Sequence, residues 1–397
     1  MLFLRIAPLL GFLLAMCTGL PAQAHDPSAW GGLFRSRDFG LNWFAADPGL
    51  FIGGALGVAI HPQDPSQLLY GTDARLLRSR NGGRDWMTES APAMSGAVFA
   101  VAFDSTGKGA IVSTGSRIFY SEDLQIWQDS FAPAGAAPAR AFARSSLSSN
   151  RIYLAGARGL FISEDRGHSW ARAGEGMLPE SAVNALLLTT GPAEYVYAVI
   201  DGNIWIGDAT AHEWRMRTAG LPPGQVQALA ADGKHATRMW TVAATQVYKS
   251  DDAGLTWSAY GRALAEPGIL VRGLAVSDDE STLVLSTHRG IMRSGDRANT
   301  WVQVESTLPV HLESGLLQRD PHDAATLYAG FSLSPYSEIF RRAEQGRSLL
   351  AQLDPVSLAG GVAFLVSLLV AGVYSARWLS RRQRRAPATP NFGKGNR

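Results

Sequence analysis

The feature that most constrains the fold of this chain is a tryptophan that recurs seven times at nearly constant spacing. Successive members are separated by 43, 41, 43, 44, 43 and 44 residues. The seven residues are Trp43, Trp86, Trp127, Trp170, Trp214, Trp257 and Trp301. A fixed period of this length indicates one structural unit repeated along the chain, each unit burying its apolar face against its neighbours.

Each tryptophan closes a version of one eight-residue pattern, Ser-x-Asp-x-Gly-x-x-Trp, which we call the octet. The copies at 36–43, 163–170 and 250–257 are complete. Asn81 replaces the aspartate of a fourth copy, Ala298 replaces the glycine of a fifth, and the other two are a residue short or degenerate. The residues that define the octets are Ser36, Asp38, Gly40, Trp43, Ser79, Trp86, Ser121, Asp123, Trp127, Ser163, Asp165, Gly167, Trp170, Ser250, Asp252, Gly254, Trp257, Ser294, Asp296 and Trp301.

The octet predicts a tight turn between two antiparallel strands. Serine and aspartate side chains hydrogen-bond to free backbone N–H groups of such turns, and glycine adopts the positive φ that the turn needs. The tryptophan then packs its large apolar surface against the adjoining sheet. The octet acids are therefore predicted to fasten turns rather than to act as catalytic carboxylates.

The rest of each repeat has the alternating pattern of two more strands, as at 58–60 with 67–70 and at 226–230 with 239–242. Four strands in a period of about 43 residues are typical of a propeller blade. The sequence therefore predicts an all-β fold, a seven-bladed β-propeller with four-stranded blades.

The chain starts in the middle of a blade. The hairpin at 32–46 comes first and the strand pair at 314–331 comes last. Joining the two closes the ring and removes exposed sheet edges. Residues 338–341 resemble a further strand that competes with 33–35 for the closing position, and the sequence does not decide between them.

The two ends of the chain have the features of a signal peptide and a membrane anchor. Arg5, an apolar stretch and a small-residue site at 22–24 are typical of a cleaved secretory signal. No charge occurs over 356–375, and 20 helical residues span about 30 Å, the thickness of the hydrocarbon core. Five arginines follow directly, which places that end in the cytoplasm. The predicted segments are a signal peptide (1–24), the propeller (25–346), a linker (347–355), one C-terminal transmembrane helix (356–376) and a basic cytoplasmic tail (377–397).

Charge and cysteine content exclude several classes of protein. Residues 25–348 carry 28 Lys and Arg against 33 Asp and Glu, because eight of the 36 basic residues lie outside this region. A nucleic-acid binder carries its basic excess on the folded domain, so no nucleic-acid partner is expected. Cys17 is the only cysteine and lies in the predicted signal. The processed chain would therefore have no disulfide, zinc–cysteine cluster or cysteine nucleophile.

The end of the propeller opposite the octet turns, around the axial channel, is the predicted binding surface. The turns between second and third strands and the starts of the innermost strands, read in register, bring six arginines there. They are Arg75, Arg117, Arg140, Arg158, Arg272 and Arg289. Guanidinium groups on an otherwise acidic body predict binding of an acidic partner surface or an anionic group. The alternative is scattered, solvated arginine.

No metal or cofactor is predicted. His61 with Asp64, and His322 with Asp320 and Asp323, lie in matching segments between the first two strands of a blade. Side chains of this kind in a turn usually cap backbone groups, so capping is favoured over metal ligation.

The octets resemble the Asp-box, or BNR, repeat, and the body as a whole resembles the photosystem II stability/assembly factor family. That resemblance implies an exported, non-catalytic seven-bladed propeller that helps membrane complexes to assemble. The chain resembles sialidases, which also carry Asp-boxes, more distantly. The only approximation to their F/Y-R-I-P segment, Arg5-Ile6-Ala7-Pro8, lies inside the predicted signal and does not fit that pattern.

The expected function is that of a non-enzymatic interaction or assembly module for a membrane or periplasmic protein. It is expected to be a single-pass type I protein of the inner membrane, with the propeller in the periplasm or exterior and the C-terminal helix in the bilayer. The alternative is an exo-acting, sialidase-like glycosidase or a glycan-binding surface protein, since acid pairs of other glycosidase mechanisms are not excluded by spacing.

Overall fold

The structure is a computed structural model that describes residues 30–89, 96–189, 194–208, 210, 213–309, 311–345 and 374. The predicted signal peptide, linker and basic tail lie outside this part of the chain, as does the predicted transmembrane helix apart from Tyr374. Within the described ranges no helix is both long and apolar enough to cross a membrane.

The described residues up to 345 contain 28 short strands and one helix. The first fourteen strands are β1 (Gly32–Ser36), β2 (Phe44–Ala45), β3 (Ala55–Ile60), β4 (Leu68–Thr72), β5 (Leu76–Ser79), β6 (Met87–Thr88), β7 (Val98–Phe103), β8 (Ala110–Thr114), β9 (Ile118–Ser121), β10 (Gln128–Asp129), β11 (Ala141–Arg144), β12 (Ile152–Gly156), β13 (Gly159–Ser163) and β14 (Ala171–Arg172). The other elements are β15 (Val183–Leu188), β16 (Tyr195–Ile200), β17 (Asn203–Asp208), β18 (Trp214–Met216), β19 (Val226–Ala231), β20 (Met239–Ala243), β21 (Gln246–Ser250), β22 (Ser258–Ala259), β23 (Val271–Val276), β24 (Leu283–Thr287), β25 (Gly290–Ser294), β26 (Val302–Gln303), β27 (Glu313–Arg319), β28 (Leu327–Ser332) and the helix α1 (Tyr336–Glu344).

These strands form seven antiparallel sheets of four strands each, which confirms the predicted seven-bladed propeller. Blades 1 to 6 are consecutive groups of four strands, from β3–β6 to β23–β26. Blade 7 has the order β2-β1-β28-β27, so that both ends of the propeller contribute to it. In this blade β1 pairs with β28 from Gly32 opposite Phe331 to Ser36 opposite Leu327, and the ring closes as the sequence predicts.

The core lies between blades, because each sheet is apolar on both faces. One cluster joins Leu33 and Tyr328 of blade 7 to Leu68 and Tyr70 of blade 1. All four side chains are at most 2% exposed, and full burial of one large apolar side chain contributes about 1.5–3 kcal/mol. The packing of neighbouring blades therefore holds the ring together.

Residues 338–341 belong to helix α1 and are not the strand suggested by their sequence. The place beside β28 is already filled by the five register pairs of β1. Tyr336 and Ile339 are buried on one face of the helix, and Glu338 forms ion pairs with Arg341 and Arg342 at helical spacing. Since i,i+3 and i,i+4 pairs adjoin only on a helix, this segment has helical rather than strand periodicity.

Strand alternation gives the propeller two ends. The octet turns join third to fourth strands, and they lie at the same end as the loops between first and second strands. We call this the octet end. Turns between second and third strands, and connections from one blade to the next, lie at the other, which we call the mouth end.

Candidate functional site

The complete octets are turns fastened by their own serine and aspartate side chains. The Ser36 hydroxyl donates to Asp38 Oδ1 at 2.8 Å and accepts the Gly40 N–H at 2.8 Å. Asp38 Oδ1 also accepts the N–H groups of Leu41 and Asn42. The octets at 163–170 and 250–257 repeat the serine–aspartate–glycine bonds. Their carboxylates are occupied with fastening the turn.

The environment of these acids keeps them ionised. At Asp296 the backbone N–H and hydroxyl of Thr300 lower the carboxyl pKa to about 2. At Asp165 burial raises the pKa, but hydrogen bonds from Ser169 and Ser163 outweigh it, so that the pKa is lowered. A general acid needs a raised pKa, so these two octet carboxyls are unsuited to proton donation.

The octet turn strains its backbone more than the sequence indicates. The glycine has positive φ, as at Gly40 (82°), but so does the residue before it, with Phe39 at 52° and Arg166 at 62°. Ala298, which replaces the glycine in its octet, also adopts a φ of 62°. Non-glycine residues in this region carry a steric cost, so the hydrogen bonds of the turn hold these residues against their preference.

The inner strands carry one extra residue each at the mouth end of most blades. The register with the second strand shifts by one residue near the start of the inner strand in blades 1, 2, 4, 5, 6 and 7. A β-bulge of this kind re-aims a side chain. The bulged residues of the first five of these blades are Leu56, Phe99, Asn184, Gln227 and Arg272. Of these five residues the sequence predicts Arg272 as a binding residue, and it does not predict the bulges.

Helix α1 is seated on several of these bulges. Tyr336 and Ile339 pack with Leu56 and Phe99. The Tyr336 hydroxyl donates to the Ala55 carbonyl at 2.6 Å. Because Ala55 and the bulged residues begin inner strands, α1 lies at the channel mouth.

The other end of the helix reaches blades 2 and 3. The Phe340 ring stacks edge-on against Phe99 at 4.9 Å between centroids. An added Cβ at Gly115, in the turn between β8 and β9, would lie 3.4 Å from the Ala343 methyl group. The helix therefore crosses the mouth from blade 7 to blade 3.

Two of the six predicted binding arginines serve this helix. The Arg140 guanidinium lies 4.2 Å from the centre of the Phe340 ring and 3.6 Å from a Glu344 oxygen. Burial lowers the pKa of Arg140, and Glu344 opposes that shift. Arg272 pairs with Glu313 at 2.9 Å, and Glu313 accepts the N–H of Tyr336 at 2.9 Å. Both guanidinium groups are thus engaged inside the chain, contrary to a simple open arginine face.

The other four arginines, Arg75, Arg117, Arg158 and Arg289, are exposed at the mouth end. Each stands directly before the third strand of its blade. Arg117 pairs with Asp129 at 3.1 Å and Arg289 with Glu266 at 2.6 Å, all four side chains being about half exposed or more. Exposed pairs of this kind contribute at most about 1 kcal/mol, so a partner's carboxylate can exchange with the internal one. A cavity of about 360 Å³ lies beside Arg117, between Asp129 and Gly135.

Two carboxyl groups of the mouth end differ from those of the octets. Asp47 accepts the Leu33 N–H at 3.0 Å and the Tyr70 hydroxyl at 3.1 Å, and its burial raises its pKa to about 6. Burial also raises the pKa of Asp73. Of the two, Asp73 is partly accessible and Asp47 is buried.

The paired histidines act in turns. His61 Nδ1 accepts the N–H groups of Gln63 and Asp64 at 3.1 and 3.0 Å. His322 Nε2 donates to the His61 carbonyl at 2.8 Å. Over the described ranges no three His, Cys, Asp or Glu side chains converge to hold a metal ion.

Comparison with known proteins identifies the fold. Neither a protein-family model nor a curated protein matches the sequence. Among solved structures, YCF48 bound to a D1 peptide is 15% identical, with a TM-score of 0.52, covering 80% of this chain and 100% of that one. YCF48 from Cyanidioschyzon merolae is 12% identical, with a TM-score of 0.53 and coverage of 71% and 97%. The GH74 xyloglucanase from Xanthomonas campestris is 19% identical, with a TM-score of 0.55, covering 76% of this chain and 56% of that one.

Proposed function

We propose that this protein is a non-enzymatic docking or assembly module for a membrane-protein partner. In this proposal the C-terminal helix anchors it in the inner membrane and the propeller works on the extracytoplasmic side. The observation that carries the proposal is the mouth end itself, where helix α1 covers the inner-strand bulges and exposed arginines surround it.

Helix α1 argues against a small-molecule site on its side of the channel. Tyr336 is 5% exposed and Ile339 4%, and both pack on inner-strand residues. A substrate cleft is concave and accessible, whereas this part of the mouth is filled by the chain's own side chains. The accessible chemistry is at the rim, where a broad partner surface can contact several blades.

The exposed arginines suit an acidic protein surface. Arg75 and Arg158 have no acidic partner within ion-pair distance among the described residues, and the acids paired with Arg117 and Arg289 are exposed. A guanidinium group binds carboxylates with two parallel hydrogen bonds. The YCF48 structure with a bound D1 peptide shows that a propeller of this fold can bind a protein segment.

The test is charge reversal at the exposed arginines alone. Full-length protein carrying Arg75→Glu, Arg158→Glu and Arg289→Glu is expected to lose its partner in cross-linked pull-downs from native membranes. Arg140 and Arg272 are left unchanged because their reversal would disturb α1. The matched control reverses three exposed arginines of octet turns, Arg80→Glu, Arg84→Glu and Arg297→Glu. Equal recovery of the partner by both triple variants would contradict the proposed binding of the partner by the exposed arginines of the mouth end.

Glycoside hydrolysis is the second candidate, favoured by one observation. Asp73 is a partly accessible carboxyl at the mouth end with a raised pKa, which a general acid requires. Turnover of a panel of oligosaccharides, xyloglucan fragments included, and its loss in Asp73→Asn would establish this activity. Absence of turnover in the unmodified protein would remove it.

A further inference from the structure

Three exposed apolar side chains gather on the rim of the mouth where the chain closes its ring. Trp30 is 41% exposed, Phe51 71% and Leu333 46%. The Trp30 and Phe51 rings meet edge to face with centroids 5.4 Å apart. The Leu333 N–H donates to the Gly53 carbonyl at 2.7 Å, which brings Leu333 to the same loop. We call these three residues the rim patch.

Among the described residues, the rim patch has no equivalent at the octet end. Exposed leucines of octet turns, such as Leu41 and Leu255, belong to separate blades, and scattered apolar residues of this kind are normal on protein surfaces. Here two aromatic rings are in contact and Leu333 is held to the same loop, and a group of exposed apolar side chains marks an interaction site. Tryptophan, phenylalanine and leucine together suit the boundary between water and lipid, where aromatic rings settle at headgroup level.

The path of the chain indicates which surface the rim patch meets. Leu333 follows β28, and α1 then ends at Glu344 on the mouth end. Eleven residues, 345–355, separate this point from the uncharged run that begins at 356, and fully extended they reach about 40 Å at most. A chain anchored by that run therefore holds the end of α1, which lies on the mouth end, within about 40 Å of the bilayer.

We propose that the rim patch inserts into the extracytoplasmic surface of the lipid bilayer and turns the mouth end toward the membrane. This inference rests on the membrane anchoring in the proposed function. It accounts for the exposure of two aromatic rings beside Leu333, directly after the last strand of the ring. It also brings the exposed arginines close to the membrane, where a membrane-protein partner would meet them.

Charge around the rim patch is nearly balanced. Arg75 is exposed on the neighbouring turn, whereas Asp73 is partly buried beside Gly53. Asp47, four residues before Phe51, is buried. The rim patch itself therefore carries little net charge, and its apolar side chains supply the contact. Insertion is expected in vesicles of zwitterionic phosphatidylcholine as well as in anionic ones.

The experiment places one fluorescent probe at a time on the full-length protein. Because Cys17 is the only cysteine, Cys17→Ser provides a thiol-free background. Phe51→Cys and Leu333→Cys place an environment-sensitive dye on the rim patch, and Leu255→Cys places it on an octet turn. The three proteins are reconstituted into phosphatidylcholine vesicles that contain nitroxide lipids. Lipid quenching is expected at positions 51 and 333 and not at 255.

Vesicle flotation and one further variant separate the possible outcomes. Flotation with equal quenching at all three positions, or with none, leaves the anchor intact and overturns the rim-patch inference. Failure to float overturns the anchoring in the proposed function as well. Adding Trp30→Ser and Phe51→Asp to the Leu333→Cys protein should abolish quenching without changing the unfolding midpoint, and persistent quenching contradicts the inference. If the dye at positions 51 and 333 is shielded from water only after membrane proteins are added, the rim patch contacts a protein partner instead of lipid.

Discussion

The octet end and the mouth end of this propeller are built in opposite ways. At the octet end one turn recurs, and the hydrogen bonds of its serine and aspartate side chains join residues at most four positions apart, as from Gly40 N–H to Ser36 Oγ. At the mouth end the Tyr336 hydroxyl bonds to the carbonyl of Ala55, 281 residues away. Local chemistry repeated along the chain gives the symmetric end, whereas long-range contacts made once give the end that carries the candidate site.

The two ends also treat carboxyl groups differently. Octet acids such as Asp296 face N–H and hydroxyl donors, which lower the pKa. Asp47 at the mouth end is buried, which raises its pKa. The octet end thus favours ionised carboxyl groups, whereas the mouth end contains a carboxyl group whose pKa is about 6.

Removing an octet tryptophan tests whether the octet end stabilises the fold. This substitution should have the largest effect on the free energy of unfolding. Trp43 is 1% exposed, so Trp43→Ala is expected to lower the free energy of unfolding by about 3–5 kcal/mol. Phe44→Ala, at the next position but 65% exposed, is the matched control and should change it little. Urea unfolding monitored by circular dichroism measures both. Similar losses for the two variants would contradict the proposed role of the tryptophan.

Asp47 tests the difference between carboxyl groups. Its pKa in the folded state is about 6, against 3.8 for the free group, so folding is penalised as the carboxyl ionises with rising pH. Asp47→Asn should therefore stabilise the protein above pH 7 by at most about 3 kcal/mol and have little effect below pH 4.

Unfolding midpoints measured across this pH range check the prediction for Asp47. Asp296→Asn is the control of opposite sign, because the lowered pKa of Asp296 stabilises the fold above about pH 3.8 and loses that effect toward pH 2. A pH-independent effect of Asp47→Asn would show that burial does not govern this carboxyl.

Gly315 tests the seat of helix α1. A Cβ at this position would overlap the ring of Tyr336, so Gly315→Ala should displace α1 and cost about 2 kcal/mol. Gly233→Ala is the control, since its Cβ would meet nothing within 4 Å. Limited proteolysis at Arg341 should accelerate only in the Gly315 variant. Unchanged proteolysis would mean that the mouth end tolerates the added methyl group.

The decayed octet at 294–301 offers the smallest and most local test. Ala298 has a φ of 62°, and glycine reaches this region without steric cost. Ala298→Gly should therefore raise the free energy of unfolding by about 0.5 kcal/mol. The reverse change, Gly254→Ala at a φ of 79° in a complete octet, should lower it. Thermal unfolding measures both variants. Changes of opposite sign in the free energy of unfolding support the positive-φ conformation of the turn, and changes of the same sign would contradict it.

Much of the fold was predictable because its signals are local. Serine, aspartate and glycine at fixed offsets specify a turn, and seven turns specify seven blades. The helical nature of 336–344 was also present in the sequence, since Tyr336, Ile339, Phe340 and Ala343 have helical spacing. It was obscured because the short apolar run 339–340 resembles a strand when read alone.

The candidate site was only partly predictable. The exposed arginines Arg75, Arg117, Arg158 and Arg289 stand in turns whose register the octets set, so sequence located them. Whether Arg140 and Arg272 are free to bind a partner depends on helix α1, which follows the last strand of the propeller. Sequence spacing does not reveal such a contact.

The sequence by itself determined the blade number, the octet turns and the closure of the ring, because each depends on residues a few positions apart or on two strands in need of partners. Only the tertiary structure decided which arginines remain free, where α1 lies and that Trp30, Phe51 and Leu333 form one patch. The physical reason is that these contacts join residues from different blades or from opposite ends of the chain, as Tyr336 and Ala55 do across 281 positions, and their geometry exists only once the ring has closed.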